Sequence, residues 1–253
     1  MSTYQQNPFI TFLAPAKLNL GLKITGVRKD GYHLLNSVFC LVDLFDEIRI
    51  QITPLSDKIS IIEHNQAWHY KKDLVYKAAM LLKQATGCKL GANIKVKKTI
   101  PSGAGLGGGS SNAATTLIAL NKFWQTNLST DELIKLGIKL GADVPFFLLG
   151  KNAFVSGIGE IINPIEIPEK YFVVIMPDFH LSTKQVFEQL KFEHAKNTLT
   201  NYSADYLINS GENDLFDVAS KIEPQINEII KTLKSYAKPM MTGSQLEMFL
   251  NSL

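Results

Sequence analysis

Cysteine is scarce in this 253-residue chain, which has only Cys40 and Cys88. Two thiols exclude a disulfide framework and a cysteine-built zinc cluster, and they favour a reducing compartment. Charge of either sign is in little excess: 26 Lys and Arg against 23 Asp and Glu leave a formal +3. That suits an anionic substrate slightly and is too weak to argue for nucleic acid as a partner. Long apolar runs are missing too. The stretch Val144–Leu149 is broken by Pro145 and far too short to span a bilayer, so no membrane partner is expected. The opening Met1-Ser2-Thr3-Tyr4-Gln5-Gln6-Asn7 has neither the basic residues nor the apolar core of a signal peptide. No repeat or low-complexity tract stands out, and nothing in the sequence reports an oligomeric state. With 45% hydrophobic and 19% charged residues, the remainder is an ordinary globular composition, long enough for one large or two modest domains. A cytoplasmic enzyme or binding protein is the expectation.

From Phe9 to Thr25 the chain alternates, with Leu18, Leu20, Leu22 and Ile24 on one face and Lys17, Asn19, Gly21 and Lys23 on the other. This predicts a half-buried strand ending at Gly26, turned back by Lys29-Asp30-Gly31. Strands are expected at Ser37–Leu44 and Glu47–Thr53, and a weaker one at Lys58–Glu63. A helix over Asp73–Thr86 is stopped by Gly87, and Ala92–Thr99 alternates as a strand. A helix from about Asn112 to Trp124 buries Ala114, Leu117, Ile118 and Trp124. Ser129-Thr130-Asp131-Glu132 opens another helix with a capping box, ended by Gly141. Strands resume at Ala153–Val155 and Tyr171–Met176, separated by a linker-like stretch from Asn163 to Glu169 that sets a domain boundary near residue 166. Helices are expected near Thr183–Leu190, Asp214–Ala219 and Pro224–Tyr236. Strands mixed with helices but without regular βαβ alternation predict an α+β fold.

Between a patterned strand and a strong helix lies Pro101-Ser102-Gly103-Ala104-Gly105-Leu106-Gly107-Gly108-Gly109-Ser110-Ser111. Five glycines in seven residues are entropically expensive to order, and a flexible linker does not belong at this position. Backbone N–H groups reach a polyphosphate only where no Cβ intervenes, so the loop predicts a phosphate cradle. Ser110, Ser111 and Asn112 are expected to cap the following helix. Gly103-x-Gly105-x-x-Gly108 also satisfies the dinucleotide fingerprint. However, the preceding strand carries Lys95 and Lys97 on one face, and no acid stands about 20 residues onward where a ribose carboxylate belongs. The Walker pattern fails because no Gly-Lys-Ser/Thr follows. Lys98, just before the loop, is placed to offer a positive charge to the phosphates.

Taken singly, the other candidates have bland readings. Lys17 on a strand is by default a solvated charge, although it shares a face with Asn19. Tyr32-His33 reads as a hairpin pair with an exposed imidazole. Asp143, in Gly141-Ala142-Asp143-Val144-Pro145, follows a helix C-terminus and precedes a bend, the usual setting of an Asx turn. Phe187 is an amphipathic-helix core residue. His64, His69, His180 and His194 lack metal-ligand spacing, and no protein metal site is expected.

The combination resembles a known family. Pro101 to Ala114 is similar to the ATP-binding motif of the GHMP kinases. Lys98-x-Ile100-Pro101 with Gly105-Leu106-Gly107-Gly108-Gly109-Ser110-Ser111-Asn112-Ala113-Ala114 resembles the version carried by the 4-diphosphocytidyl-2-C-methyl-D-erythritol kinases. Ala14-Pro15-Ala16-Lys17-Leu18-Asn19-Leu20, continuing through Gly26-x-Arg28-x-Asp30-Gly31-Tyr32-His33-x-Leu35, resembles that family's first motif. The resemblance implies ATP- and Mg2+-dependent phosphorylation of the substrate's 2-hydroxyl in the non-mevalonate route to isoprenoids. It makes Lys17 and Asp143 catalytic, the aspartate taking or orienting the hydroxyl proton, while Asn19, Tyr32, His33, Thr183 and Phe187 contact the cytidine substrate. Phe187 would stack opposite Tyr32. Ser156-Gly157-x-Gly159-Glu160 fits as a turn, and Asn213-Asp214-Leu215 as a structural position. The implied fold is the two-domain GHMP arrangement. Residues 1–166 form a domain like ribosomal protein S5 domain 2, and residues 167–253 form a ferredoxin-like domain shortened at its end.

The match runs from about Phe12 to Ser244 with two departures. Asp73 replaces the asparagine that family members carry before Leu74-Val75, which removes a donor where adenine is read. After Thr242-Gly243-Ser244, the family's small residues are replaced by Gln245-Leu246-Glu247-Met248. A changed second glycine turn and an open edge in the C-terminal sheet are therefore expected. Two rival readings are a GHMP kinase for another alcohol, which has no need of Tyr32, His33 and Phe187, and a nucleotide-binding protein without catalysis. The latter has no use for Lys17 and Asp143.

Overall fold

The alternation that starts at Phe9 folds as one 18-residue strand, β1 (Ile10–Val27). The structure is a computed structural model that describes residues 7–62, 70–179, 181–190, 202–236, 238–243 and 247–251. β1 is not half-buried. From Ala16 to Leu22 every residue is buried, with Lys17 at 4% and Asn19 at 3% exposure, because the polar side chains pair with one another on an internal face. A tight turn follows in which Arg28 N–H donates to Tyr32 O and Gly31 adopts φ +89°. The two strands expected next are one continuous strand, β2 (His33–Thr53), which runs through Asp46 without a break.

β1 pairs with β2. Beyond β3 (Ile59–Ile62), helix α1 (Leu74–Thr86) is capped by Asp73, whose carboxylate accepts from Val75 N–H, and closed by Gly87. Glu63, the expected end of β3, lies outside the described residues. β4 (Gly91–Lys97) pairs antiparallel with the C-terminal half of β2, from Glu47↔Lys97 to Thr53↔Gly91, and parallel with β3. Helix α2 (Gly108–Phe123) begins four positions before the expected Asn112. Ser110, Ser111 and Asn112 therefore lie inside its first turns and do not cap it. Ile118 is 44% exposed, so it leaves the buried face to Ala114, Leu117 and Trp124.

Helix α3 (Thr130–Gly137) opens with the expected capping box between Ser129 and Glu132. It ends at Gly137, before Gly141. A Cβ at Gly137 would stand 2.7 Å from Leu148 and 2.9 Å from Val144, the tight approach of α4 (Val144–Leu149). β5 (Ala153–Gly157) pairs antiparallel with the N-terminal part of β2, Leu35↔Gly157 to Phe39↔Ala153, and with β6 (Ile161–Pro164). The remaining elements are β7 (Phe172–Ile175), α5 (Thr183–Gln189), α6 (Ala204–Ser210), α7 (Phe216–Ile222), α8 (Gln225–Leu233), β8 (Pro239–Thr242) and β9 (Glu247–Asn251). The last two and α6 have no counterpart in the sequence reading. β9 lies between β7 and β8 and pairs antiparallel with both, so the divergent residues after the final motif carry a central strand.

These elements pack as two compact units, each assembled from separate stretches of chain. One holds Asp43–Pro101, Gly107–Gly150 and the stretch ending at Ala16; the other holds Lys17–Val42, Ser102–Leu106 and the stretch from Lys151 onward. In the first, α1, α2 and α4 bury Ala78, Leu82, Leu117, Leu120 and Phe146, with Ile48, Ile50 and Ile94 inside the sheet. Each such Leu, Ile or Phe side chain contributes about 1.5–3 kcal/mol when fully buried. In the second, Leu22 and Ile24 of β1 share a core with Val186, Leu215, Ala219, Ile226, Ile230 and Met241. No described helix is long and apolar enough to cross a membrane.

Candidate active site

In the first unit the glycine loop ends by entering α2. Gly107 caps the helix at φ +71°, a conformation that costs an L-residue roughly 1–2 kcal/mol and glycine little. It brings no side chain to the first turn, and Ser111 N–H is the first to close a helical bond, 2.9 Å onto Gly107 O. The amides of Gly108, Gly109 and Ser110 therefore have no intrahelical acceptor. Gly108 is required sterically, since a Cβ there would stand 2.9 Å from Ile100 Cγ2. Uncapped amides at the positive end of a 16-residue helix are suited to receive an anion. Beneath them the buried Ser111 Oγ has no hydrogen-bond partner among the described residues.

Asp143 is half-buried at the N-cap of α4, with Pro145 at the start of that helix, where the sequence pointed to a bend. Its carboxylate makes no capping hydrogen bond, so the Asx turn does not form. A Cβ on Gly141 would lie 3.7 Å from Ser110 Oγ, which brings the Gly141-Ala142-Asp143 turn beside the start of α2. Lys98 Nζ lies 3.3 Å from the carboxylate of Asp46, a fully buried residue that the sequence reading missed.

In the second unit the earlier part of the loop meets β1. Lys17 N–H donates to Leu106 O at 3.0 Å, and Leu106 is buried while Ser102 and Gly103 are exposed. The Lys17 ammonium donates to Asn19 Oδ1 and sits 4.7 Å from the Phe39 ring centroid. Asn19 Nδ2 donates to Ser37 Oγ at 2.9 Å, and that hydroxyl donates to Gly21 O at 2.7 Å. Asn19 N–H donates to Thr242 Oγ1 at 2.6 Å. Gly243 follows at φ +63°, where a Cβ would be 3.5 Å from Asn19 Oδ1 and 3.9 Å from Gly105 O. The Thr242-Gly243 turn thus lies against both Asn19 and the glycine loop. Asn213 Nδ2 holds it by donating to Met241 O and Gly243 O. Ser244, Gln245 and Leu246 lie outside the described residues.

Tyr32 is 59% exposed on the turn, with the Arg28 guanidinium 5.4 Å from its ring. Arg28 forks onto Asp30 and its hydrogen bonds hold that carboxyl below the usual carboxylate range, which fixes the turn carrying Tyr32 and His33. Phe187 neighbours His33, with ring centroids 5.4 Å apart and planes at 45°. Thr183 is exposed at the first position of α5, which Ser182 caps. Ser156 to Glu160 form the turn joining β5 to β6, and Ile158 N–H donates to Glu160 there. Asp214 is structural: it accepts from Lys23 Nζ and from Ile24 N–H.

His64, His69, His180 and His194 lie outside the described residues. Among the described ones, no group of three or more His, Cys, Asp and Glu is arranged to hold a metal ion. Ser37 was missed because a short polar residue in an apolar strand gives no local signal of its distant partner, whereas the sequence reading gives Asn213 a structural position, the part it plays here. Asp46 gave such a signal: an acid in phase with the buried apolar positions Ile48 and Ile50 of the same strand.

A family model described as GHMP kinases N terminal domain matches residues 73–151. The 4-diphosphocytidyl-2-C-methyl-D-erythritol kinase of Delftia acidovorans is 46% identical over 245 residues, covering 93% of this chain and 84% of its own. That of Chromobacterium violaceum is 41% identical over 251 residues, covering 97% and 87%. A crystal structure of 4-(cytidine 5'-diphospho)-2C-methyl-D-erythritol kinase superposes with TM-score 0.80 at 34% identity, over 96% of this chain and 90% of that one. Homoserine kinase from Cytophaga hutchinsonii shares the fold at 17% identity, with TM-score 0.73, over 100% of this chain and 87% of that one. The chain belongs to the 4-diphosphocytidyl-2-C-methyl-D-erythritol kinase family of GHMP kinases.

Proposed function

We propose that this chain transfers the γ-phosphoryl group of ATP to the 2-hydroxyl of 4-diphosphocytidyl-2-C-methyl-D-erythritol, in the non-mevalonate route to isoprenoid precursors. The observation that carries the reading is the glycine-capped start of α2, with three amides lacking an intrahelical acceptor. In the transfer the bond from γ-phosphorus to the β,γ-bridging oxygen breaks and a bond to the substrate oxygen forms. ADP leaves, and the hydroxyl proton passes to Asp143. Lys17 stabilises the charge growing on the transferred group, held straight by Asn19. Tyr32, His33, Thr183 and Phe187 contact the cytidine end, and Lys98 with residues 101–111 holds the phosphates.

The donors around the loop are oxygens, namely the hydroxyls of Ser110 and Ser111 and the carboxylate of Asp143, which suit a hard cation such as Mg2+. When bound with ATP it would neutralise phosphate charge, with the phosphate oxygens as most of its ligands. The partners are then two small molecules, and the two thiols suit a cytoplasmic setting.

The direct test is purified protein with Mg2+-ATP and the cytidine substrate, following ADP release by a coupled assay and the product by phosphorus NMR. One ADP per new phosphomonoester at the 2-position is the expected result. A folded, ATP-binding protein that releases no ADP, or releases it regardless of the alcohol, would sink the reading.

A further inference from the structure

The Asp46 carboxylate is completely buried, yet it lies in none of the motifs above. It sits on β2 one residue before the last β2–β4 pair, Glu47↔Lys97, so it faces the point where the chain leaves β4 for the glycine loop. Oδ1 accepts from Thr99 N–H at 2.7 Å and Ile100 N–H at 2.8 Å. Oδ2 accepts from Asn112 Nδ2 at 2.8 Å and is 3.3 Å from Lys98 Nζ. Thr99 and Ile100 lead into the loop, and Asn112 lies just beyond it in α2. One carboxylate therefore clamps both ends of the loop and holds the lysine beside it. Ile100, fixed in this way, is the residue whose side chain lies under Gly108.

We infer that Asp46 is a positioning residue for the phosphates of ATP: it sets the spacing of the loop's two ends and the direction of Lys98. This rests on the loop being the ATP-phosphate site. Burying an ionised carboxylate is costly unless several donors meet it, and four do so here. A neutral hydrogen-bonding side chain would close the same gap more cheaply if the role were packing alone. The charge has a use when a mobile cation must be kept beside an anion site.

Asp46→Asn is close to isosteric. Its oxygen still accepts from Thr99 and Ile100, and Asn112 can turn its unpartnered Oδ1 toward the new amide. Only the hold on Lys98 is then lost. Asp46→Ala removes the whole clamp. The experiment is steady-state kinetics of both variants at varied ATP and varied alcohol, with thermal melts and inhibition by adenosine, which lacks phosphates. For Asp46→Asn we expect KM for ATP to rise several-fold. KM for the alcohol and inhibition by adenosine should stay within twofold of wild type. For Asp46→Ala we expect a larger rise in KM for ATP and a lower Tm. If Asp46→Ala does not fold, Asp46→Asn decides alone. An unchanged KM for ATP in folded Asp46→Asn, or a fall in kcat alone, would overturn the inference. If a phosphate-free inhibitor and ATP are weakened equally, the role is general to the unit and the inference also falls. Wild-type protein that binds no ATP would remove the underlying reading of the loop, a result visible before any variant is made.

Discussion

Asp143 is a carboxylate at a helix N-cap that does no capping. An N-cap aspartate typically contributes about 1 kcal/mol by accepting from a first-turn amide, as Asp73 does for α1. With no such bond, Asp143 gives α4 little that Asn would not also give. A role in stability and a role in chemistry can therefore be separated at this position. Asp143→Asn should leave Tm within about 2 °C of wild type and KM for ATP nearly unchanged, while kcat falls by roughly 100-fold or more. Thermal melts and ADP-release kinetics on one preparation provide the check. Turnover near the wild-type rate would remove Asp143 from the proton transfer. A large drop in Tm would mean that its role in the fold had been underestimated.

At the scale of elements, β1 is tied to the α6–α7 connection by ionic contacts. The Lys23 ammonium lies 2.7 Å from both Glu212 Oε2 and Asp214 Oδ1. Burial acts to lower the Lys23 pKa, but the hydrogen bonds to Asp214 and Glu212 outweigh it and raise it above that of an ordinary lysine. Glu212 is pulled down, first by Lys23 and then by the Tyr206 hydroxyl, from its ordinary 4.5. A lowered folded-state pKa stabilises the protein above the unfolded value, and the gain is lost as pH falls through the folded one. The raised Lys23 value works in the other direction. Its contribution is complete below 10.5 and fades only at more alkaline pH. The seam should therefore weaken on the acid side alone within an ordinary pH range. Glu212 is half exposed, so the effect is small. Glu212→Gln should lower Tm by about a degree or two at neutral pH and flatten its fall below about pH 4.5. Melts across the acid range for both proteins test this, and parallel curves would show that Glu212 adds nothing.

The same strand shows what was legible in the sequence. Its extent and alternation were readable because period two is local. Its burial was not, because Lys17 and Asn19 are accommodated by Ser37 and by Thr242, 223 residues away from Asn19. The start of α2 was misjudged for a related reason. Glycine propensity argues against a helix at Gly108 and Gly109, but the close approach of Ile100 excludes a larger residue at Gly108 and tertiary packing prevails. Asp46 looked like a break in β2 because its four donors come from the segment 98–100 that follows β4 and from α2. The glycine loop and Gly141-Ala142-Asp143 stood out in the sequence because each is a contiguous motif. That His33 neighbours Phe187 depends on how α5 packs, and that is not written locally.

For the whole molecule, the second unit is woven from distant stretches, and β1 depends on the C-terminal part of the chain. Leu22 N–H donates to Glu212 O at 2.8 Å, and Leu22 O accepts from Asp214 N–H at 2.9 Å. Ile24 N–H donates to Asp214 Oδ2 at 2.9 Å, and Asn19 N–H to Thr242 Oγ1 at 2.6 Å. Leu22 and Ile24 bury their side chains against Val186, Leu215 and Met241. Gly21 lies so near Leu207 that a Cβ would be 2.7 Å from its carbonyl oxygen. A fragment of residues 1–166 keeps β1 and loses every one of these partners. Leaving a buried polar group unpaired costs about 1–3 kcal/mol, and four of them rival the whole stability of a typical domain, about 5–15 kcal/mol. The exposed Leu22–Ile24 face adds to the loss. Expressed alone, the fragment should bind a hydrophobic dye and melt without a sharp transition. Mixing it with residues 167–253 should restore a cooperative melt, because the missing acceptors and apolar partners return in trans. Calorimetry and amide-proton NMR dispersion on the fragment, with and without its complement, provide the measurement. A fragment that melts cooperatively by itself, with dispersed amides, would show that β1 is satisfied within the N-terminal two thirds of the chain.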